Sequence, residues 1–243
     1  MKSESARGGH VRSKESSVEK KRQQWQNKLD EILRPDVYGY VIDKGVRETV
    51  AALQLLGFNT TQSDQGNYSE TPWIQVDSGM PKDIYIGEQE LKTELMTKTG
   101  ISPDEIDEKF PSFDRSKQVD IEEGAREQLA KAGAAYTPEY QEWHRRSNEL
   151  AHKLQNLVDE FYAAETTPEG AKDLRVSVEF PYRAPQYNAY IQDTPSLRVN
   201  FVDDGVNVDT LSEEERKEAS ARALREMTRF TEFLKERFLN SKI

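Results

Sequence analysis

The sequence has no cysteine, and this absence removes several classes of chemistry. Disulfide bridges, thiolate metal sites and cysteine nucleophiles are all excluded. No apolar run approaches the roughly 18 residues that a membrane-spanning helix needs. The N-terminus also lacks the apolar core of a secretory signal. We therefore expect a cytoplasmic protein with no membrane partner.

Motifs that bind nucleotides, activate a serine or hold zinc are also missing. The chain contains no GxxxxGK[ST] loop, no GxGxxG after a strand, no GxSxG elbow and no HExxH helix. The histidines, His10, His144 and His152, have no i, i+4 spacing, and we interpret them as surface residues. Residues 203–209 (DDGVNVD) lack the terminal glutamate of an EF-hand loop. We predict no metal site, and no cofactor is indicated.

Charge is distributed unevenly along the 243 residues. Residues 1–28 carry eight Lys or Arg and three Glu, so their net charge is +5 and that of the remainder is −15. An acidic body disfavours broad nucleic-acid binding, which needs a basic footprint. The basic N-terminal segment is interpreted as a solvated tail, with an acidic partner or nucleic acid as the alternative.

The pattern of apolar residues predicts an α+β fold, with helices packed on a largely antiparallel sheet. The clearest strand is 174–180 (LRVSVEF), where apolar and polar residues alternate. Predicted helices are 14–33, 44–56, 88–98, 120–132, 137–164 and 212–239, with a further helix start at 102–105. Predicted strands are 58–62, 72–76, 83–87, 174–180, 187–191 and 197–202.

We predict two parts for the chain. Residues 1–34 form a basic arm, partly disordered and partly helical. Residues 35–243 form a single α+β domain, in which 87–165 is a helical insertion between the two groups of strands. The two longest helices carry apolar stripes that suit core packing, with dimerisation as the alternative use.

A polar turn after the second predicted helix is the first candidate site. The segment 60–67 (TTQSDQGN) places short polar side chains and a glycine at the end of a strand. Such residues bond the local backbone and allow positive φ, so a hairpin turn explains them. The alternative is that the strand end delivers them to a ligand cleft. The candidate residues are Thr60, Ser63, Asp64, Gly66 and Asn67.

Arginines among tyrosines and on the strands form the second candidate. Arg183 lies in a segment rich in tyrosine and proline, and Arg175 and Arg198 lie on predicted strands. Guanidinium groups beside aromatic rings can bind phosphate or stack on bases. If the three share the wet face of the sheet, they predict an anionic small ligand. Arg183 and Arg198 are therefore added to the candidate ligand-binding residues.

Residues 43–76 resemble a pattern in uncharacterised bacterial and phage proteins. There, an Asp-x-Gly start leads into a helix, a Gly-aromatic step and a Thr-x-x-Ser-Cys-Glu-Gly-His turn. A related Ser-Cys-Ser-Gly-Arg turn occurs in the tRNA methyltransferase family of wybutosine synthesis. The matching residues are Asp43, Gly45, Gly57, Thr60, Ser63 and Gly66. The resemblance implies a shared scaffold of helix, strand and turn.

The chain departs from that pattern at the reactive positions. Asp64 stands where the pattern has Cys, Gln65 where it has Glu, and Asn67 where it has His. Thiol chemistry or a Cys/His metal site therefore does not carry over. The resemblance thus bears on the fold more than on the function.

The sequence favours a non-enzymatic module that binds a small ligand or a protein partner in a cleft near residues 60–67. The first alternative is a diverged RNA-modifying or nucleotide-acting enzyme. It would use Asp64 as general base, Ser63 and Asn67 as hydrogen-bonding groups, and Arg183 or Arg198 for an anion. The second alternative is an adaptor that uses its basic N-terminal arm. The sequence does not decide between enzyme and binding module.

Overall fold

The protein is described from a computed structural model. The described residues are 8–35, 39, 41–66, 71–76, 79, 81–100, 114–164, 174–180, 195–201 and 211–241. The predicted strand at 187–191 and the predicted helix start at 102–105 lie outside them.

Six helices and four strands make up the described part of the chain, and the fold is α+β, as predicted. The helices are α1 (Gly8–Ile32), α2 (Arg47–Leu55), α3 (Glu88–Thr99), α4 (Asp114–Lys131), α5 (Pro138–Ala164) and α6 (Glu213–Asn240). The strands are β1 (Thr60–Asp64), β2 (Trp73–Val76), β3 (Leu174–Glu179) and β4 (Ser196–Phe201). None of these helices is long and apolar enough to cross a membrane.

The chain contacts divide the molecule into two compact units. Unit 1 comprises 1–77, 150–179 and 195–243, and unit 2 comprises 78–149 and 180–194. Helix α5 is continuous, and its residues from Leu150 onward belong to unit 1. The boundaries predicted at residues 34, 87 and 165 stay predictions.

Unit 1 contains the sheet, whose strand order is β1-β2-β4-β3 and whose pairs are all antiparallel. Neighbouring side chains of a strand point to opposite faces. One face buries Ile74, Leu197 and Val176, and α6 packs on strands β3 and β4. Along α6, the apolar residues recur at helical spacing, which places Met227 and Phe230 in the same core.

Helix α1 is part of the core of unit 1 in its second half. It begins at Gly8, earlier than the predicted start at Lys14, and it buries Trp25 and Ile32. Lys21 is also buried, and its Nζ donates to the carbonyl oxygen of Phe238 at 2.9 Å and to Ser241 Oγ at 2.7 Å. A cation at this end of α6 satisfies carbonyl groups that have no partner within the helix.

Unit 2 is helical in its described part. Helices α3 and α4 pack on one another. A small cluster buries Ile84, Tyr140 and Trp143. The predicted strand at 83–87 is reduced to a single bridge between Tyr85 and Tyr136. The pairing does not continue, because Gly87 has a φ of 85° and turns the chain into α3. A single paired residue is too short to form a strand.

Candidate functional site

The polar segment that raised the first candidate site begins a hairpin. Strand β1 pairs antiparallel with β2, so residues 65–72 connect two hydrogen-bonded strands. Asp64 Oδ1 accepts a hydrogen bond from the backbone N–H of Gly66 at 2.6 Å. Gly66 has a φ of 77°, and its carbonyl oxygen accepts from Ser220 Oγ of α6 at 2.9 Å. The segment is therefore a hairpin turn, and its role in ligand binding stays a prediction.

Two residues that match the resembled pattern, Asp43 and Gly45, both contact Gln65, which departs from it. The backbone N–H of Gly45 donates to Gln65 Oε1 at 3.1 Å, and that of Gln65 donates to Asp43 Oδ2 at 3.3 Å. A Cβ on Gly45 would lie 2.8 Å from Leu224 Cδ2 and 3.0 Å from Gln65 Oε1. A side chain at position 45 would therefore displace the ends of the Leu224 and Gln65 side chains. Gly57 follows α2 with a φ of 89°, which explains the second glycine of the pattern.

A cleft of about 550 Å³ lies beside β1 in unit 1. Its walls come from the end of α1, the connector that follows residue 40, helix α2, and strands β1 and β2. The lining residues are Ile32, Arg34, Val41, Ile42, Asp43, Val50, Gln54, Thr60, Thr61, Gln62, Ser63 and Trp73. Five of these residues are apolar and seven are polar or charged, so the cleft is more polar than most small-molecule sites.

Two of the predicted site residues line this cleft, namely Thr60 and Ser63. Thr60 Oγ1 accepts from Gln54 Nε2 of α2 at 2.8 Å. Ser63 is opposite the buried Ile74, whereas Asp64 is opposite Trp73 on the other face of the sheet. Because adjacent residues of a strand face opposite ways, the side chains of Ser63 and Asp64 do not converge on one point.

Asp64 and Arg198 lie in one row across the sheet, on the face away from α6. Both are opposite Trp73, which separates them. Adjacent strands are about 4.8 Å apart, so these two backbones are about 10 Å apart. Arg198 Nε is 3.6 Å from Glu179 Oε1, too far for a hydrogen bond but close enough for an ion pair.

The cluster of three arginines is only partly within the described structure. Arg175 is opposite Asn200, and Arg198 is opposite Ser177, so the two arginines share a face on neighbouring strands. They are diagonal neighbours, for which the backbone spacing is about 7–8 Å. Arg183 and Asn67 lie outside the described residues.

In β1, the backbone N–H and C=O groups of every second residue point away from β2, to the outer edge of the sheet. Val199 N donates to Pro72 O, and Val76 N donates to Pro195 O, so these β2 residues face β4. In an antiparallel ladder, the residues between them, such as Trp73, must face β1.

Within β1 the same alternation leaves Ser63 facing outward. Gln62 and Asp64 pair with the β2 residues that face β1, so the N–H and C=O of Ser63 point to the free edge. A bulge between Thr60 and Gln62 shifts the register and leaves Thr60, opposite Val76, facing outward too. Among the described residues no strand lies beyond β1, and this edge borders the cleft that the same two residues line.

The edge of the sheet formed by β3 is protected. The backbone N–H of Val176 donates to the hydroxyl of Tyr162 at 2.8 Å, and that hydroxyl donates to Glu226 Oε1 at 2.7 Å. Burial raises the pKa of Tyr162, and the hydrogen bond to Glu226 raises it further. Burial also raises the pKa of Glu226, although the hydrogen bond from Tyr162 and the charge of Arg175 oppose this rise.

Unit 2 contains a buried carboxylate that sequence reasoning missed. The side chain of Glu88 is fully buried, and its Oε2 accepts from the backbone N–H groups of Ile84 at 2.6 Å and Tyr85 at 3.1 Å. Its Oε1 lies 2.8 Å from Lys92 Nζ and 2.7 Å from Arg126 Nε.

The contacts of Glu88 determine its charge state. Burial alone raises the pKa of this carboxyl, but the hydrogen bonds from Lys92, the two backbone N–H groups and Arg126 outweigh it and hold the pKa below its usual value. The i, i+4 spacing of Glu88 and Lys92 in the sequence could have predicted their ion pair. The contact with Arg126 joins α3 to α4 and has no local signal. Among the residues that the structure describes, no group of acidic and histidine side chains can hold a metal.

Comparison with protein-family models, curated proteins and solved structures finds no match to this chain. The resemblance of residues 43–76 therefore stays a prediction.

Proposed function

We propose that the chain is a binding module that takes an extended peptide segment of a partner protein along the free edge of β1. The observation that carries this proposal is the outward N–H and C=O of Ser63 beside a cleft of about 550 Å³. An added strand gains affinity from main-chain hydrogen bonds and specificity from side-chain pockets.

The two edges of the sheet differ in a way that favours β1. At β3, the hydroxyl of Tyr162 bonds the outward N–H of Val176. Among the described residues, no strand lies beyond β1 in the sheet. Unprotected edges invite uncontrolled pairing, and a bulge limits it. The bulge at Thr60–Gln62 therefore restricts β1 to a short peptide, about two to four residues in contact with the edge.

The cleft adds side-chain selectivity for an apolar residue of that peptide. Ile32 and Val50 are buried at its base, and Val41 is 46% exposed at its rim. Covering an exposed valine stabilises a complex by about 25 cal/mol for each Å² of apolar surface removed from water. Arg34 and Asp43 supply one charge of each sign, so the cleft has no strong preference for a charged peptide.

The alternatives have weaker geometric support. The enzyme alternative needs Ser63 and Asp64 in one pocket, and their side chains lie on opposite faces of the sheet. The adaptor alternative needs a free arm, but α1 buries Lys21, Trp25 and Ile32 in unit 1.

The test is selection from a displayed library of random short peptides, followed by affinity measurement on the full chain. Ser63→Pro removes the outward N–H without breaking a bond to β2, and Val41→Lys places a charge at the rim. Each should weaken selected peptides by about tenfold, the loss of one hydrogen bond or a few buried methyl groups. Ile86→Lys is the matched control, because Ile86 is an exposed aliphatic residue outside the cleft.

Amide exchange distinguishes strand addition from other contacts. Bound peptide should slow exchange of the Ser63 amide, since that N–H would then be hydrogen-bonded. The proposal is wrong if no peptide is selected, or if selected peptides bind Ser63→Pro and Val41→Lys as tightly as the parent chain.

A further inference from the structure

A second cleft in unit 1, of about 270 Å³, lies between the second half of α5 and the edge strand β3. Helix α5 contributes Asp159 and Tyr162 to its walls, and β3 contributes Arg175 and Ser177. Its apolar base is formed by Val158 and Val176, which are 3% and 2% exposed. The volume corresponds to about nine water molecules at roughly 30 Å³ each, which suits a small ligand.

Two opposite charges face this cleft and form no ion pair with one another, although the charge of Arg175 also acts on the buried Glu226. Within the described part of the chain, neither Asp159 nor Arg175 has an ion-pair partner within 4 Å. Asp159 Oδ1 accepts from Gln155 Nε2 at 2.8 Å. The guanidinium of Arg175 lies over the ring of Tyr162, 5.2 Å from its centroid. Because the two charged groups line the same cleft at more than ion-pair distance, there is room for a molecule between them.

The wall that carries Arg175 is held in place by hydrogen bonds. Tyr162 donates to the buried Glu226 at 2.7 Å and accepts from Val176 N at 2.8 Å, so its ring has a fixed orientation. The guanidinium of Arg175 lies over this ring, and the cation–π contact restrains its position. Asn200 Nδ2 donates to Ser177 Oγ at 2.9 Å, which fixes the polar end of the cleft. The cleft is therefore largely preorganised.

We propose that this cleft binds a small zwitterion of the α-amino-acid type. The ligand carboxylate binds the guanidinium of Arg175, which matches its two oxygens with two parallel N–H groups. The ligand ammonium binds the Oδ2 of Asp159, and a short apolar side chain packs on Val158 and Val176. An anion without an ammonium group would meet the charge of Asp159, and an amine without a carboxylate would meet that of Arg175. The ligand must therefore carry both charges.

The experiment uses the full chain and ligand-observed saturation-transfer NMR with pools of the standard L-α-amino acids. The best binder is then compared with its N-acetyl derivative, which lacks the ammonium charge, and its carboxamide, which lacks the carboxylate. We expect each derivative to bind at least about tenfold more weakly, as expected for the loss of one charge-assisted contact. Arg175→Gln and Asp159→Asn should each weaken the parent amino acid by a similar factor.

Glu160→Gln is the matched control variant. Glu160 is next to Asp159 on α5, is exposed and pairs with Arg237, and it does not line the cleft. This variant should bind as the parent chain does. Thermal unfolding of all variants identifies any that fail to fold, and a folded Asp159→Asn that binds unchanged overturns the proposal. The absence of binding at about 10 mM also overturns it, as does binding of either blocked derivative as tight as that of the parent amino acid.

Discussion

Replacing Glu88 by glutamine tests whether unit 2 depends on one buried carboxylate. The four donors around this side chain are two backbone N–H groups, Lys92 and Arg126. A glutamine has one acceptor oxygen and one NH₂ group. Its oxygen can accept either from the two backbone N–H groups or from Lys92 and Arg126, and its NH₂ group then faces the other two donors. The other pair then stays buried without an acceptor.

The expected loss follows from these contacts. Hydrogen bonds to charged groups stabilise by about 1.5–3 kcal/mol each, and breaking a buried ion pair costs about 3–5 kcal/mol. Arg126 is 24% exposed and can reach water, which reduces the loss. We expect Glu88→Gln to lower the local free energy of unfolding by about 3 kcal/mol, or about 100-fold in the unfolding equilibrium.

Amide exchange at neutral pH measures this loss where it occurs. The amides of Ile84 and Tyr85 donate to Glu88, so their exchange should accelerate by about 100-fold if they exchange through local unfolding. Glu142→Gln is the control, because Glu142 is on the exposed side of α5 with Arg145, and it should change nothing measurable. An acceleration below about threefold in Glu88→Gln would refute the argument.

The same variant predicts a pH dependence. Because the pKa of Glu88 is lowered on folding, its contribution is fully present above the unfolded value of 4.5 and is lost as the pH falls through the folded value. The difference between the parent chain and Glu88→Gln should therefore be constant from neutral pH to about 5 and shrink below 4.5. A difference that grows on acidification contradicts this sign.

Three further substitutions test unit 1. Glu226→Gln should change stability at neutral pH much less than Glu88→Gln, since burial raises the pKa of Glu226 and its charge opposes folding above that pKa, which offsets the loss of its ion pair with Arg229. Lys21→Met keeps the apolar stem and should lower the free energy of unfolding by about 1–2 kcal/mol, because the hydrogen bonds from Lys21 Nζ to Phe238 O and Ser241 Oγ are lost, whereas Phe238 O keeps the one from Ser241 Oγ. Gly45→Ala should lower it by about 1–3 kcal/mol, since the new Cβ would approach Leu224 Cδ2 to 2.8 Å.

Urea unfolding followed by circular dichroism measures all three, with matched controls. Glu236→Gln accompanies Glu226→Gln, and Lys20→Met accompanies Lys21→Met. Gly124→Ala accompanies Gly45→Ala, because Gly124 has no positive φ and a Cβ there would meet only Leu95 Cδ1 at 4.0 Å. A loss at Glu226 as large as that at Glu88 would contradict the first expectation. Unchanged unfolding midpoints in Lys21→Met or Gly45→Ala would contradict the others.

The elements of this fold were largely predictable because their signals are local. Helix α6 has a capping box in which Ser212 Oγ accepts from Glu215 N and Glu215 accepts from Ser212 N, as its sequence indicates. Strand β3 has the alternation that predicts one buried and one exposed face. The segment 83–87 has residues typical of a strand but pairs at one residue only. The residue types of a segment do not show whether a partner strand is available to it.

The candidate site was predictable only in part, because it depends on pairing. The sequence pointed to Thr60 and Ser63, and both line the cleft of unit 1. That Ser63 and Asp64 separate onto opposite faces follows from the register with β2, which no local pattern determines. The walls contributed by Ile32 and Val41 come from other elements and were not predicted.

The departures from the resembled family pattern fit the contacts that the scaffold needs. The pattern has Glu at position 65, and Glu and Gln share a side-chain oxygen that can accept from the N–H of Gly45 at 3.1 Å. The pattern has Cys at position 64, where the Asp64 carboxylate instead accepts from Gly66 N at 2.6 Å and stabilises the turn. In this chain, residue 65 joins the hairpin to the start of α2, and residue 64 stabilises the turn. Both contacts are structural, so they account for the fold of this segment, and its function depends on the binding experiments.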